Sequence, residues 1–338
     1  MSSPLPSWLD FLAVPISWLY GNVVRCRNKY YDNGKRVRSI GKPVIAVGNL
    51  TVGGTGKTPL VTWIVRMLRA HGYTPAIVMR GYAAVDPEQA DEAVEYRERL
   101  DDIDVIVGGD RVATVSAYIE NGGKADCFVM DDGFQHRRIA RDLDIVVMDI
   151  QRDAFQQRML PAGWLREPVE GLKRCDAVVV SHAMRADKTF ASKVERESGQ
   201  SPVAWTSHRW SDLQLYDATH GVRRLELDWL TGKSVAVRLG IGYPGSVIEA
   251  LVRLGAKVAK QLHAGDHQPF SNDEVRQLIE TSKSVDSIVM TLKDWVKAKD
   301  IIQLHLLECP IVVPTLELEV VEGAMELEAK LLDVFKLG

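Results

Sequence analysis

Cysteine is scarce in this chain of 338 residues: four occur, Cys26, Cys127, Cys175 and Cys309. They form no C-x-x-C pair and have no histidine partner at zinc spacing, so a zinc finger or ribbon is excluded and the four read as buried thiols in a reducing compartment. An excess of positive charge is also missing. A net charge of −3 and a pI near 6.3 argue against nucleic acid as a partner, since that function normally shows a basic face over a whole domain. Low-complexity segments and fixed-period repeats are absent too. A secretory leader is not expected: around the apolar stretch Trp8 to Val24 the basic residues Arg25, Arg27, Lys29, Lys35, Arg36 and Arg38 all follow rather than precede. A spanning helix would place Asp10 in lipid, at up to about 3 kcal/mol near the bilayer centre.

What is present is apolar content enough for a large core, with 46% hydrophobic residues, and a length that suits two domains. In the first stretch, Trp8, Phe11, Leu12, Ile16, Trp18, Leu19 and Val23 fall mostly on one helical side. Two readings stand. An interfacial helix would gain roughly 1.5 kcal/mol or more per apolar side chain and about 1 kcal/mol per nearby Lys or Arg on anionic lipid. A helix packed on the protein's own core is the alternative.

The chemical landmark is Gly48-Asn49-Leu50-Thr51-Val52-Gly53-Gly54-Thr55-Gly56-Lys57-Thr58, between a β-branched strand (Pro43 to Val47) and a run of helical periodicity (Pro59 to Arg69). Strand, glycine loop and helix in that order make a phosphate-binding loop. Residues 53, 54 and 56 let backbone N–H groups close on a polyphosphate, Lys57 adds positive charge, and the Thr58 hydroxyl suits a phosphate-bound Mg²⁺. The general pattern has glycine where this chain has Thr51.

Further strands are expected at Thr74 to Met79, Val105 to Val107, Cys127 to Met130, Leu143 to Met148 and Ala177 to Val180, alternating with helices as in a parallel sheet. By composition, residues 83 to 104 read as a solvated loop or surface helix. The strand ending in Asp131-Asp132 is where a phosphate-loop protein places the carboxylate for Mg²⁺. His136 reads as a packing residue. The strand at 177–180 ends in Ser181-His182-Ala183-Met184 and not in an N-K-x-D guanine reader, which favours ATP over GTP. Val203 to Trp210 and Leu213 to Leu227 read as two polar-alternating strands, and a second α/β unit follows, with a capping box at Ser271 and Glu274.

These motifs, taken in order, resemble the tetraacyldisaccharide 4′-kinases of lipid A synthesis. The likeness runs through Ser17-Trp18-Leu19-Tyr20-Gly21, the phosphate loop, Arg80-Gly81-Tyr82, Gly109-Asp110-Arg111-Val112 and Asp131-Asp132-Gly133-Phe134-Gln135-His136. It continues through Leu160-Pro161-Ala162-Gly163, Leu165-Arg166-Glu167-Pro168, Gly240-Ile241-Gly242 and Asp266-His267. That family's loop also lacks the first glycine. The resemblance implies transfer of the ATP γ-phosphoryl group to the 4′-hydroxyl of a tetraacylated disaccharide 1-phosphate, at the cytoplasmic face of the inner membrane. It also implies a P-loop NTPase-like parallel-sheet domain and a smaller α/β domain joined by a β-hairpin linker, with ATP between the two.

On that resemblance the catalytic set is Asp91 paired with His267, plus Lys57 and Arg111; the nucleotide contacts are Thr51 through Thr58 and Gln135; the metal set is Thr58, Asp131, Asp132 and Glu92. Ala90, Ala93, Gln268 and Leu292 depart from the family pattern. The expected division is 1–40 (membrane-interacting helix and basic segment), 41–202 (kinase core), 203–229 (β linker) and 230–338 (C-terminal α/β domain). A membrane-associated switch ATPase with a deviant loop is the alternative, but it would carry a signature lysine where this chain has Val52. An inactive relative is disfavoured by intact Lys57, Thr58, Asp131, Asp91 and His267.

Overall fold

The computed structural model describes residues 9–34, 36–81, 91–240, 244–263 and 270–336, with the side chains of Asp10, Asp91 and His263 outside that description. The chain divides into two compact units, Met1–Ser207 with Leu318–Gly338, and His208–Glu317.

In the first unit the β-branched runs become strands β1 (Val44–Gly48), β2 (Pro75–Met79), β3 (Val105–Val107), β4 (Cys127–Asp131), β5 (Leu143–Asp149) and β6 (Ala177–Ser181). All but β3 are buried at every position, as expected of parallel strands covered on both faces. They are parallel in the order β6-β5-β1-β4-β2-β3, with Val47 beside Asp131, Gly48 beside Val146 and Asp149 beside Ser181. That register brings the C-terminal ends of β1, β4, β5 and β6 to one edge, where ligands bind in open α/β sheets.

The helices of this unit are α1 (Asp10–Asp32), α2 (Lys57–Ala70), α3 (Asp91–Arg99), α4 (Arg111–Glu120), α5 (Lys188–Ser198) and, from the chain's end, α9 (Ala324–Asp333). Ile64 and Leu68 of α2 share a core with Ala93 and Tyr96 of α3 and with Leu327 and Leu331 of α9. Two expectations change here. In the segment read as a solvated loop or surface helix, residues 91–99 form α3 and its inner face is not a surface: Ala93, Tyr96 and Leu100 recur at helical spacing and are buried despite the charges between them, while residues 83–90 lie outside the described residues. The closing helix, expected with the C-terminal domain, belongs to the first unit through Leu327 and Leu331.

Helix α1 inverts the usual amphipathic arrangement. Its buried positions are the small or short Ala13, Ser17, Gly21 and Val24, while Phe11, Leu12, Val14, Ile16, Trp18, Leu19 and Val23 are exposed. Reading this helix as one packed on the protein's own core therefore fails for its bulky side chains. Cys26, expected buried, is exposed on the same helix, whereas Cys127, Cys175 and Cys309 are buried.

The second unit holds the parallel strands β9 (Ser234–Leu239), β10 (Lys257–His263), β11 (Ser287–Met290) and β12 (Ile311–Glu322) in the order β10-β9-β11-β12, with helices α6 (Gly245–Arg253), α7 (Asn272–Ser282) and α8 (Leu292–Ala298). The expected capping box, Ser271 with Glu274, starts α7. The two strands expected at 203–210 and 213–227 are instead one long strand, β7 (Ala204–Asp217), and its hairpin partner β8 (Gly221–Leu225). No break occurs at Asp212, since its buried carboxylate accepts from Thr315 Oγ1 and Arg224 Nη2, each at 2.8 Å. Strands β7 and β12 both run from one unit into the other.

Candidate active site

The phosphate loop leaves β1 at Gly48, where a Cβ would lie 2.5 Å from the Cβ of Phe134; glycine permits that approach. Thr51 is extended and bridged to Leu165, Val52 N–H donates to Trp164 O at 2.8 Å, and Arg166 N–H donates to Leu50 O at 2.7 Å. The position where glycine is usual is thus a strand bridge, which suits a β-branched residue. Gly56, at φ +79°, turns the chain into α2, so Lys57 and Thr58 begin the helix with N–H groups that have no partner within it. Thr55 is buried between two anchors: Asn49 Nδ2 donates to its Oγ1 at 2.9 Å, and Ser181 Oγ donates to its carbonyl at 2.8 Å.

Beside the loop, β4 delivers Asp131 and Asp132 into different surroundings. Asp131 is buried, and Tyr96 donates its hydroxyl to Oδ2 at 2.9 Å, while Thr58 also reaches the Tyr96 hydroxyl. Burial raises the Asp131 pKa against the pull of Lys57. Asp132 accepts from Arg166 Nη1 at 2.8 and 2.7 Å and lies 3.5 Å from Lys57 Nζ. Burial opposes its charge as well, but Lys57 and Arg166 outweigh that and hold its carboxyl below the usual range. Arg111 is buried and donates from Nη1 to the Asp132 carbonyl at 3.1 Å. Glu92, from α3, is pushed up to about 7 by burial and then by the Asp131 charge, with Lys57 pulling the other way.

Lys57, Thr58, Asp131, Asp132, Arg111 and Glu92 therefore converge. Gln135, expected among the nucleotide contacts, donates from Nε2 to Asn49 O at 2.8 Å and to Glu167 Oε1 at 2.6 Å, which ties it to the backbone of the phosphate loop. Asp91 is the first residue of α3, and His267 lies outside the described residues, so their expected pairing has no geometry here. His136 is pushed down to about 4 by burial and then by Arg111, and stays neutral as a packing residue.

Three groups escaped the reading of the sequence as site residues. Tyr96 was legible only through the spacing of Ala93, Tyr96 and Leu100. Arg166 and Glu167 sit in a proline-bounded loop whose contacts carry no local signal.

Among the described residues no group of three or more His, Cys, Asp or Glu side chains closes to metal-holding distance. Two observations still fit Mg²⁺, which needs few protein ligands when phosphates supply the rest. Asp131 Oδ1 is buried without a hydrogen-bond partner, and Glu92 stands in the field of Asp131 and Asp132 with its charge disfavoured, a donor set that a cation would relieve.

A family model described as tetraacyldisaccharide-1-P 4′-kinase (LpxK) matches residues 9–336. A protein of Chlorobaculum parvum named tetraacyldisaccharide 4′-kinase is 35% identical, over 97% of this chain and 95% of its own. One of the same name from Halorhodospira halophila is 36% identical, over 86% and 84% respectively. Among solved structures, LpxK from Aquifex aeolicus in complex with ATP is 25% identical with a TM-score of 0.72, covering 95% of this chain and 98% of that one.

Proposed function

The chain belongs to the tetraacyldisaccharide-1-P 4′-kinase family, and from that premise we propose how its residues transfer the ATP γ-phosphoryl group to the 4′-hydroxyl of a tetraacylated disaccharide 1-phosphate. The activity is that of an ATP-dependent lipid A kinase. The observation that carries the residue-level reading is the shared hold of Lys57, at the start of α2, and Arg166 on Asp132, just after β4.

Phosphoryl transfer passes through a loose transition state, so positioning and charge neutralisation supply most of the rate. The N–H groups from Gly53 to Thr58 receive the phosphates, and Lys57, 3.5 Å from Asp132, has only to shift from a loose ion pair to reach them. Arg111 stiffens the Asp131-Asp132 turn through the Asp132 carbonyl. Thr58, Asp131 and Glu92 would hold Mg²⁺, with Asp132 beside them, and a bound ion would supply neutralisation of charge on the transferring oxygens. Asp91 takes the acceptor hydroxyl proton as the bond from that oxygen to phosphorus forms and the bond to ADP breaks, with His267 as its partner. Support for Asp91 is its place at the start of α3, one residue before Glu92 and five before Tyr96, whose hydroxyl meets Asp131. Ala93, a proline in the family pattern, lies in the first turn of α3 fully buried, a position where either residue is tolerated.

The acceptor is expected at a membrane surface. Seven large apolar side chains of α1 face outward, and Arg25, Arg27 and Lys29 follow them. Among the described residues no helix is long and apolar enough to cross a membrane. The outward apolar side chains and the basic residues after them suit a helix lying in an anionic membrane surface, which we place at the cytoplasmic face of the inner membrane. The test is labelled ATP with Mg²⁺ and purified tetraacyldisaccharide 1-phosphate: label in the lipid is the expected result, and free phosphate alone would point to the switch ATPase.

A further inference from the structure

A line of hydrogen bonds leads from α1 to the phosphate loop. Asn28 Nδ2 donates to Glu167 Oε2 at 3.0 Å, and Gln135 Nε2 donates to Glu167 Oε1 at 2.6 Å and to Asn49 O at 2.8 Å. Asn49 Nδ2 then donates to Thr55 Oγ1 at 2.9 Å, inside the loop. Glu167 and Asn49 are both 0% exposed, and each of these contacts is direct. Arg174, stacked 3.7 Å over the Phe134 ring, donates to Glu167 Oε1 at 2.8 Å and keeps the buried carboxylate paired.

Two further features separate this line from an ordinary support. The first is what it connects: a loop that binds nucleotide and the helix whose bulky apolar side chains face outward. The second is its make-up: Asn28, Gln135 and Asn49 are amides, each able to donate or to accept, so the same side chains can pair in another arrangement, and coupling between sites requires an element with two arrangements.

We propose that Glu167 is a positioning residue through which α1 and the phosphate loop share one equilibrium, so that seating α1 on a lipid surface tightens ATP binding. The proposal rests on the lipid-facing reading of α1. Linkage makes it reciprocal: ATP must strengthen lipid binding by the same factor.

The test measures the dissociation constant of a labelled non-hydrolysable ATP analogue with and without vesicles of phosphatidylethanolamine and phosphatidylglycerol, and scores co-sedimentation in the same samples. Vesicles should tighten nucleotide binding about fivefold or more in the unmodified protein. Asn28→Ala removes the contact of α1 with Glu167 and leaves the Glu167–Arg174 pair and the longer Arg27 contact to the Gln135 carbonyl intact; it should reduce the factor to about one while co-sedimentation persists. Glu167→Gln should do the same, provided its melting temperature shows it folded. An unchanged factor in Asn28→Ala, or no factor in unmodified protein that does sediment, overturns the coupling.

If the unmodified protein does not sediment, the lipid-facing reading fails, and the connection is then read through a fluorophore on Cys26, the cysteine exposed on α1. A nucleotide-dependent signal that Asn28→Ala abolishes supports the link between loop and helix. No such signal overturns it.

Discussion

Arg166 holds both carboxylate oxygens of Asp132 from one nitrogen, at 2.8 and 2.7 Å, while Lys57 reaches the same carboxylate at a looser 3.5 Å. The unequal distances have a consequence for catalysis. Arg166 neutralises Asp132, so the phosphate-loop lysine is not locked into a tight ion pair and remains available to ATP. Arg166 itself is positioned by its neighbours, since its N–H donates to Leu50 O and its carbonyl accepts from Tyr20 on α1 at 2.9 Å.

Arg166→Lys is therefore not conservative, because the shorter lysine side chain does not carry its ammonium to the position from which Nη1 meets both Asp132 oxygens. With Asp132 released, Lys57 pairs with it more closely and must be withdrawn in each turnover. A fall of about 100-fold in kcat/KM is expected, carried mainly by kcat. Steady-state kinetics with the lipid acceptor check this, and wild-type turnover would refute it.

Loss of the proposed base is expected to lower turnover by about 10²–10⁴-fold in Asp91→Ala while ATP still binds. Lys57→Ala should cost at least as much, since charge neutralisation supplies more of the rate than the base does. Single-turnover assays beside nucleotide-binding measurements separate the two variants. Full activity in Asp91→Ala would falsify its role.

Tyr96→Phe removes the hydroxyl that meets Asp131 and Thr58 in a fully buried setting. A stability loss of about 1–3 kcal/mol follows from leaving a buried acceptor unmet. The variant should also need more Mg²⁺ for half-maximal activity. Urea unfolding and a Mg²⁺ titration report the two effects, and neither moving would show that the contact is incidental.

His136 gives a pH dependence of stability whose sign is fixed by its lowered pKa, about 4 in the folded chain against an ordinary 6.5. Above pH 6.5 it is neutral in both states, so it takes nothing from stability. Between 6.5 and 4 the unfolded chain binds the proton first, and stability falls as the pH falls. His136→Gln should flatten that part of the curve. Melting temperatures of the two proteins between pH 7 and 4 should converge toward acid; parallel curves would exclude burial of a neutral imidazole as the cause.

Replacing Phe11, Trp18 and Leu19 by serine should weaken vesicle binding by about a thousandfold, taking roughly 1.5 kcal/mol per side chain. Stability should hold, because Phe11, Trp18 and Leu19 are 70%, 70% and 60% exposed. Co-sedimentation and thermal melting give the two readouts. Undiminished sedimentation sinks the interfacial helix.

The sequence alone determined the phosphate loop, the β-branched strands around it and the acidic end of β4. These signals are local: glycine spacing, short apolar runs and a lysine at a helix start dictate backbone shape within about ten residues. It also determined the family, through many motifs in one order. Tertiary structure alone decided which distant side chains meet. Arg166 reaches Asp132, and Tyr96 reaches Asp131, only because parallel strand register and helix packing close gaps of 34 and 35 residues.

The two ends of the chain show the same division. A periodic apolar pattern predicted both terminal helices, but periodicity does not say what a helix will face. For α9 the partner is the first unit's core, met by Leu327 and Leu331. For α1 the small residues Ala13, Ser17 and Gly21 permit close approach to the protein, Ser17 bonding to Met159 O, so the bulky face is left outward. Local sequence sets the shape of an element, and burial of complementary surfaces, a property of the whole fold, sets its orientation.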